Sequence, residues 1–541
     1  MNRDPADLTA LPDLGHERRT GPVRVRRPIY LDLLPPCNQA CPAGENIQAW
    51  LALAMEGRFR EAWEVIVRDN PMPAVHGRVC YHPCETSCNR NSLDSPVSIH
   101  AVERFLGDLA VQEGWALTCA PSTGKKVLIV GAGPSGLSCA HHLALQGHSV
   151  EIREAGPLPG GMMHFGIPAY RLPRPILESE IARIEAMGVK IVLNHQVENL
   201  EFERQSFDAV FVAVGAHLGK KVEMPARDAG KMLDAVQFLR DVEMGNPPKL
   251  GRRVAVYGGG NTAMDAARVA RRLGVEPLII YRRDREHMPA HDFEADEALT
   301  EGVKIHWLRT IKSIGEGEFT VEVMTLDENG RPVPTGEVET LLADDLILAL
   351  GQDSDTSFLS SLPGIESKSD GTVIVNQQMM TGCPGVFAGG DMVPSERTVT
   401  VAVGHGKKAA RSIDAYLRAD QYTKAKRSDV ATFDKLHLWF YTGAAQQIQT
   451  QLEANQRADS FKEVVDGLAM DEALFESKRC LSCGNCFECD GCYGACPEDA
   501  IEKLGGGNGY LVDFTKCTGC GTCFEQCPSG AITLVPEGAQ A

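Results

Sequence analysis

Between residues 121 and 420 one pattern recurs: a short run of Val, Ile and Leu, a glycine-rich turn, then a longer amphipathic stretch. That alternation predicts βαβ units stacked on parallel sheets. The runs VLIV and DLILAL are apolar at every position, as strands covered on both faces are. No apolar run reaches the ~18 residues of a membrane span. Residues 1–120 are rich in Cys and Pro, with helical periodicity in IQAWLALAMEGRFREAWEVIV. Residues 421–475 are polar and predict a helical connector, and residues 476–541 hold ten cysteines in a short span. A chain of 541 residues is too long for one core, so three or more domains are expected.

Two of the turns carry more than fold. KKVLIVGAGPSGLSCAHHLALQGHSVEIREA reads as strand, G-x-G-x-x-G turn, helix and strand, with glycines at Gly131, Gly133 and Gly136. The first glycine permits the tight turn, the second lets backbone approach a diphosphate, and the third lets the helix pack on the strand. The helix N-terminus then offers unpaired N–H groups to the anion. Glu154 ends the second strand, 18 residues after Gly136, where a carboxylate suits a ribose 2′-hydroxyl. Gly160 and Gly161 follow in the next loop and would mean little alone.

About 125 residues later, RRVAVYGGGNTAMDAARVARRLGVEPLIIYRRDREHMPA repeats the design with Gly258, Gly260 and Ala263, and with Asn261 and Thr262 opening the helix. Here the second strand ends in Tyr281-Arg282-Arg283 and no acid takes the ribose position. Two arginines suit a 2′-phosphate, which they can hold by bidentate charge-assisted hydrogen bonds. One fingerprint with an acid and one with arginines point to two dinucleotides, FAD first and NADP(H) second. Gly389-Gly390-Asp391, after a short strand, is similar to the second FAD motif of two-dinucleotide flavoproteins, with Gly390 and Asp391 as contacts. In that fold the NADPH domain is inserted in the FAD domain, and the chain returns to FAD near residue 352. A thioredoxin-reductase-like enzyme would need a C-x-x-C pair in the NADPH domain, and residues 252–350 contain no cysteine.

Of 18 cysteines, only Cys119, Cys139 and Cys383 stand outside two groups near the chain ends. Clustered cysteines without a secretory leader read as metal ligands rather than disulfides. The N-terminus MNRDPADLTALPDLGHERR has no apolar core of a leader, so a cytoplasmic location is expected. Cys486, Cys489, Cys492 and Cys496-Pro497 give C-x2-C-x2-C-x3-C-P, and Cys517, Cys520, Cys523 and Cys527-Pro528 repeat it. In this run three thiolates hold one four-iron cube and the fourth ligates the other, so Cys527 should complete the first cluster and Cys496 the second. Isolated C-x2-C pairs would be expected for zinc. The N-terminal group, Cys37, Cys41, Cys80, Cys84 and Cys88, can hold one cube with one thiol over, or parts of two. A net charge of -18 argues against nucleic acid and against an anionic membrane surface as partners.

Residues 37–420 resemble the small chain of NADPH-dependent glutamate synthase and the N-terminal half of dihydropyrimidine dehydrogenase. The matching stretches are CNQACPAGENI, GRVCYHPCETSC, GAGPSGL, GGMMHFGIPAYRLP, GGGNTAMDAAR, YRRDREHMPA and AGGD. The resemblance implies FAD, NADPH and N-terminal four-iron clusters, one of them on Cys41, Cys80, Cys84 and Glu103. It also implies a second on Cys37, Cys88 and an R-C-x2-C-G pair that the family carries just before Cys37, and that this chain lacks there. The same R-C-x2-C-G string occurs at Arg479–Gly484, so Cys480 and Cys483 either flank the ferredoxin runs or supply the missing pair. The small chain of the family also lacks a C-terminal two-cluster module.

The expected architecture is an α/β core of two Rossmann-like dinucleotide-binding domains, the NADPH domain inserted in the FAD domain. An α-helical N-terminal iron–sulfur domain and a C-terminal α+β ferredoxin-like domain with two [4Fe-4S] clusters flank it. The boundaries fall at 1–120, 121–225, 226–351, 352–420, 421–475 and 476–541. The expected activity is electron exchange between NADP(H) and a one-electron acceptor in a partner, within an oligomer or hetero-complex. The expected partner is ferredoxin or a 2-oxoacid:ferredoxin oxidoreductase, reached through the C-terminal module, with a glutamate synthase large chain as the alternative. Hydride transfer to flavin requires no acid–base side chain, so none is nominated.

Overall fold

The computed structural model describes residues 24–220, 231–420 and 427–538. The N-terminal segment read for a leader and the residues at the 225/226 and 420/421 boundaries lie wholly or partly outside them. The first apolar run, Lys126–Val130, becomes the central strand of a five-stranded parallel sheet, in the order Val386–Ala388, Ala209–Val212, Lys126–Val130, Ser149–Arg153, Lys190–Val192. Val127, Leu128 and Ile129 are fully buried, packed in one core with Leu137, Ala140 and Leu143 of helix Pro134–Leu145 and with Val373 and Met392.

Arg253–Tyr257, the strand of the second fingerprint, centres a second parallel sheet, in the order Lys304–Trp307, Glu276–Tyr281, Arg253–Tyr257, Asp345–Leu348, Met232–Asp234, with the run DLILAL supplying its neighbour Asp345–Leu348. A three-stranded antiparallel meander, Arg309–Leu342, backs it. The chain enters and leaves this second unit through Leu218–Gly219 and Gln352–Asp353, which pair antiparallel. One dinucleotide domain is thus inserted in the other.

Helices Ile47–Met55, Phe59–Val67, Pro73–Val79 and Ile99–Glu113 form the N-terminal domain around Trp50, Ile66 and Val102, all fully buried. The two chain ends then meet. Strand Arg26–Tyr30 pairs antiparallel with Ile532–Pro536, the last strand of the cysteine-rich C-terminal module.

The connector departs from the helical expectation. Between Arg427 and Ala469 its only α-helical piece is the single turn Ala454–Arg457. Tertiary contacts hold the rest extended. Val430 bridges Leu34, the His437 N–H donates to Pro528 O at 3.0 Å, and Val464 is buried in the NADPH-domain core. Propensity is a weak prior, and contacts of this kind override it. Helix Met470–Lys478 follows, and its Ala473 is buried in the N-terminal core beside Trp50 and Val102.

Candidate functional site

The first fingerprint folds as a cradle. Gly131 has φ +104°, and a Cβ there would meet Ala213 O at 2.5 Å. A Cβ on Gly136 would sit 2.0 Å from Gly131 O, so only glycine lets the helix close on its strand. At Gly133, by contrast, a Cβ would meet nothing, because this glycine faces open space at the start of helix Pro134–Leu145. A Cβ on Gly161 would sit 2.9 Å from Gly133 Cα, and one on Gly390, at φ +74°, 3.1 Å from the Ser135 Cβ. The structure therefore gathers Gly131, Gly133, Gly136, Gly161 and Gly390 around one helix N-terminus. Ser135 Oγ is buried there with no partner. These features fit a dinucleotide diphosphate. Glu154 accepts from the N–H groups of Ala132 (2.8 Å) and Gly156 (2.7 Å), which fixes its carboxylate beside the turn with acceptor capacity left. Asp391 is pushed up to about 6 by burial.

The second fingerprint repeats the geometry with one addition from outside the domain. A Cβ on Gly258 would meet Ala349 O at 2.2 Å, whereas Gly260 faces open space at the start of helix Asn261–Arg272. Ala263 is fully buried against the strand. Asn261 Nδ2 donates to Tyr81 Oη at 2.6 Å, and its Oδ1 accepts from His291 N at 3.2 Å. Tyr81, from the cysteine-rich N-terminal loop, also stacks on the His291 ring at 3.7 Å. Nothing in the local sequence announced that contact. Arg282 is exposed and Arg283 half-buried, and Arg283 Nε is buried without a partner. The neighbouring acids are engaged elsewhere, Asp284 with His287, and Asp292 and Asp296 with Arg285. Arg283 also bonds the Tyr281 side chain, so its unpartnered Nε and the exposed Arg282 are what a 2′-phosphate could take.

The cysteines fall into four sets. Cys41 and Cys80 lie near Glu103, and Cys84 near Cys80 and Cys41. This set packs on the FAD domain: Lys407 of helix Val399–Leu417 donates to Ala43 O and Gly44 O, and a Cβ on Gly404 would meet Pro42 O at 2.2 Å. Glu103 accepts from Asn70 Nδ2 at 2.6 Å, and Asn70 also holds Glu45. Burial raises the Glu103 carboxyl well above its usual range and lifts Glu45 to about 7. Asn70 carried no sequence signal, and Glu45 only its place in the stretch CNQACPAGENI. Cys37, Cys88, Cys480 and Cys483 line one pocket, which is the second set. In the third, the charge of Cys527 acts on Cys486, Cys489 and Cys492. In the fourth, Cys496 shares a pocket with Cys517, Cys520 and Cys523.

Burial raises the thiol of Cys80 to about 12 and of Cys480 to about 11. Thiols so placed are held as thiolates by bound iron. Backbone N–H groups point at several sulfurs: His82 N at Cys80, Ser482 N at Cys480, Ala500 N at Cys496 and Gly519 N at Cys517, at 3.3–3.4 Å. Tyr30 Oη lies 3.2 Å from Cys492 Sγ, placed to donate to that sulfur once iron holds it as a thiolate. Hydrogen bonds to sulfur are one lever that sets cluster potential.

Residues 125–406, just over half the chain, match the family model described as pyridine nucleotide-disulphide oxidoreductase. The chain belongs to that family. Residues 33–115 match dihydropyrimidine dehydrogenase domain II, a 4Fe-4S cluster domain, and residues 510–533 match a 4Fe-4S binding domain. This pyridine nucleotide-disulphide oxidoreductase is 37% identical over 498 residues to the Moorella thermoacetica NADP(+)-dependent formate dehydrogenase subunit beta, covering 83% of this chain and 70% of that one. It is 36% identical over 503 residues to the Geobacter sulfurreducens NADPH-Fe(3+) oxidoreductase subunit beta, covering 83% and 75%. The Escherichia coli glutamate synthase [NADPH] small chain is 33% identical over 422 residues, covering 71% of this chain and 89% of that one. The resemblance read from the motifs therefore holds, and the chain is an FAD- and NADP(H)-dependent iron–sulfur oxidoreductase. No helix among the described residues is long and apolar enough to cross a membrane.

Proposed function

We propose that this chain is the flavin-containing electron-transfer subunit of a hetero-complex, exchanging electrons between NADP(H) and a low-potential oxidoreductase partner. The observation that carries the reading is the order of the sites. The FAD cradle abuts the loop of Cys41, and the ferredoxin-type runs, Cys486 to Cys527, lie at the other end of the series with Cys486 and Cys520 exposed. Gly131, Gly133, Gly136, Gly161, Gly390, Glu154 and Asp391 would hold FAD. Gly258, Gly260, Asn261, Thr262, Ala263, Arg282 and Arg283 would hold NADP(H). Cys41, Cys80, Cys84 and Glu103 would hold the flavin-side cube. Cys486, Cys489, Cys492 and Cys527 would hold one outer cube, and Cys517, Cys520, Cys523 and Cys496 the other.

Flavin, when bound, supplies the exchange between hydride transfer and one-electron steps. The residues' part is placement. The two helix N-termini fix the dinucleotides, the arginines select the phosphorylated nucleotide, and the N–H···S contacts favour the reduced state of the cubes. The name of the Moorella thermoacetica relative, which aligns over 83% of the chain, favours a partner of the formate-oxidising kind. A 2-oxoacid:ferredoxin oxidoreductase belongs to the same chemical class, since both produce low-potential electrons. The glutamate synthase large chain is the second reading, supported by the small-chain similarity.

The test is purification of the tagged native protein with whatever it retains, followed by NADP+ reduction with formate, with a 2-oxoacid plus coenzyme A, or with glutamate. Formate-dependent NADPH formation is expected. Activity with glutamate alone, or a subunit that purifies without a redox partner and takes no electrons from reduced ferredoxin, would sink the proposal.

A further inference from the structure

We propose that Cys37, Cys88, Cys480 and Cys483 hold a further [4Fe-4S] cluster, one built jointly by the two ends of the chain. It rests on the electron-transfer reading above and supplies the step that reading leaves open, between the flavin-side cube and the ferredoxin runs.

The four thiols line one pocket whose remaining wall is largely apolar, with Pro35, Leu51, Val97 and Ile99. Cys37 feels the charge of Cys480, Cys88 and Cys483. No three of these sulfurs gather as closely as one tetrahedral ion needs. Tetrahedral zinc with Zn–S near 2.3 Å needs sulfurs about 3.8 Å apart, and a four-iron cube holds them roughly 6.5 Å apart. Among the described residues, the triads of potential ligand atoms within 4.8 Å of one another are His82/Glu85/His100 and Glu45/His76/Glu103, and no cysteine triad is among them.

The delivery of Cys480 is built in. Arg479, 2% exposed, donates to Pro96 O and Ser95 O and pairs with Asp94 and Glu476. Arg90 Nη1 donates to Arg479 O at 2.5 Å, and Ser98 N to Glu476 Oε1 at 2.7 Å. The loop after Cys88 and the helix before Cys480 are therefore tied at several points. A buried arginine so placed needs all of these partners, because breaking a buried pair is costly. Gly484 closes the motif: at φ +74°, a Cβ there would meet Leu33 Cβ at 2.4 Å and Ala431 Cβ at 2.7 Å.

The connectivity makes the series continuous. Cys37 lies in the helical turn Pro36–Ala40 with Cys41 as its C-cap, and Cys84 lies in the turn Pro83–Thr86 with Cys88 just beyond its end. Each pair divides between the flavin-side set and this one, which holds the two cubes about a turn apart. Cys483 and Cys486 are three residues apart, which limits the next gap to about 11 Å of chain. One electron enters from the flavin-side cube and one leaves to the cube on Cys486, with no other reactant required.

The experiment is iron, acid-labile sulfide and zinc analysis of the full chain, purified without oxygen and reconstituted with ferrous iron and sulfide. The wild type should hold about 16 irons per FAD, and Cys480→Ala, Cys483→Ala and Cys37→Ala about 12 each, with the dithionite-reduced spin count falling by one. Cys119→Ala is the control and should keep about 16. The wild-type count decides the matter even if a variant folds poorly. About 12 irons in the wild type, or one zinc per FAD lost with Cys480→Ala, overturns the proposal. In that case NADP+ reduction by reduced ferredoxin reports separately whether the electron-transfer reading survives.

Discussion

Replacing Arg282 and Arg283 together by alanine should erase most of the preference for NADPH over NADH. Both follow strand Glu276–Tyr281, whose end is fixed against the glycine turn: a Cβ on Gly259 would meet the Tyr281 ring at 2.4 Å, and Tyr281 Oη donates to His287 O at 2.9 Å. The two side chains differ in setting. Arg283 is half-buried with Nε unsatisfied, so a charge-assisted bond there counts at the ordinary strength of about 1.5–3 kcal/mol. Arg282 is exposed, and its contribution is that of a solvent-facing pair, about 0.2–1 kcal/mol. Together they give roughly 2–4 kcal/mol, or a ~30- to 1000-fold fall in the ratio of kcat/KM for NADPH to that for NADH. Arg283→Ala alone should carry most of it, and added salt should mimic Arg282→Ala. Steady-state rates with a dye acceptor measure all four proteins. A double variant whose ratio stays within twofold of the wild type would refute the reasoning.

Other substitutions probe other links. Gly136→Ala puts a methyl 2.0 Å from Gly131 O, and the purified protein should lose most of its FAD by absorbance at 450 nm while keeping its C-terminal cubes. Tyr30→Phe removes the hydrogen bond to Cys492 and should lower the potential of that cube by tens of millivolts, since ~59 mV corresponds to tenfold for one electron; an unchanged potentiometric titration counts against it. Asp391→Asn removes a carboxyl held near 6 in the fold against about 3.8 unfolded. A raised folded pKa means that the wild-type apoprotein loses stability as the pH rises from 4 through 6. The variant's apoprotein should therefore gain about 2–3 kcal/mol at pH 7.5, a gain that shrinks toward pH 4 in thermal melts. Its FAD affinity should fall at the same time.

Much of this was legible in the sequence because the signals are local. A strand, glycine turn and helix within 20 residues must bring Gly131 to a helix N-terminus, and two interleaved cysteine runs must exchange their fourth ligands. Contacts between distant segments left no such trace. Tyr30 reaches Cys492 across 462 residues, and its role follows from the pairing of the first and last strands. Tyr81 reads as an ordinary loop residue until the inserted domain presents Asn261 to it. The connector misled because QQIQTQLEANQ favours helix locally, whereas Val464 and His437 are fixed by other domains. Its wrapping, and the packing of helix Met470–Lys478 in the N-terminal core, also mean that cutting the chain after Met470 would strip the N-terminal domain of part of its core.

The central claim is a single electron path from the NADP(H) site to the ferredoxin-type module. It is tested most directly by following NADPH formation at 340 nm when a reduced two-cluster ferredoxin, too large to reach the flavin, is mixed with the complete protein and NADP+. The account predicts one NADPH for every two electrons supplied, and a rate at least ~10-fold lower in Cys489→Ser, which disables the cube of Cys486, Cys489, Cys492 and Cys527. An undiminished rate in that variant would contradict the account, because electrons would then be reaching the flavin by another route.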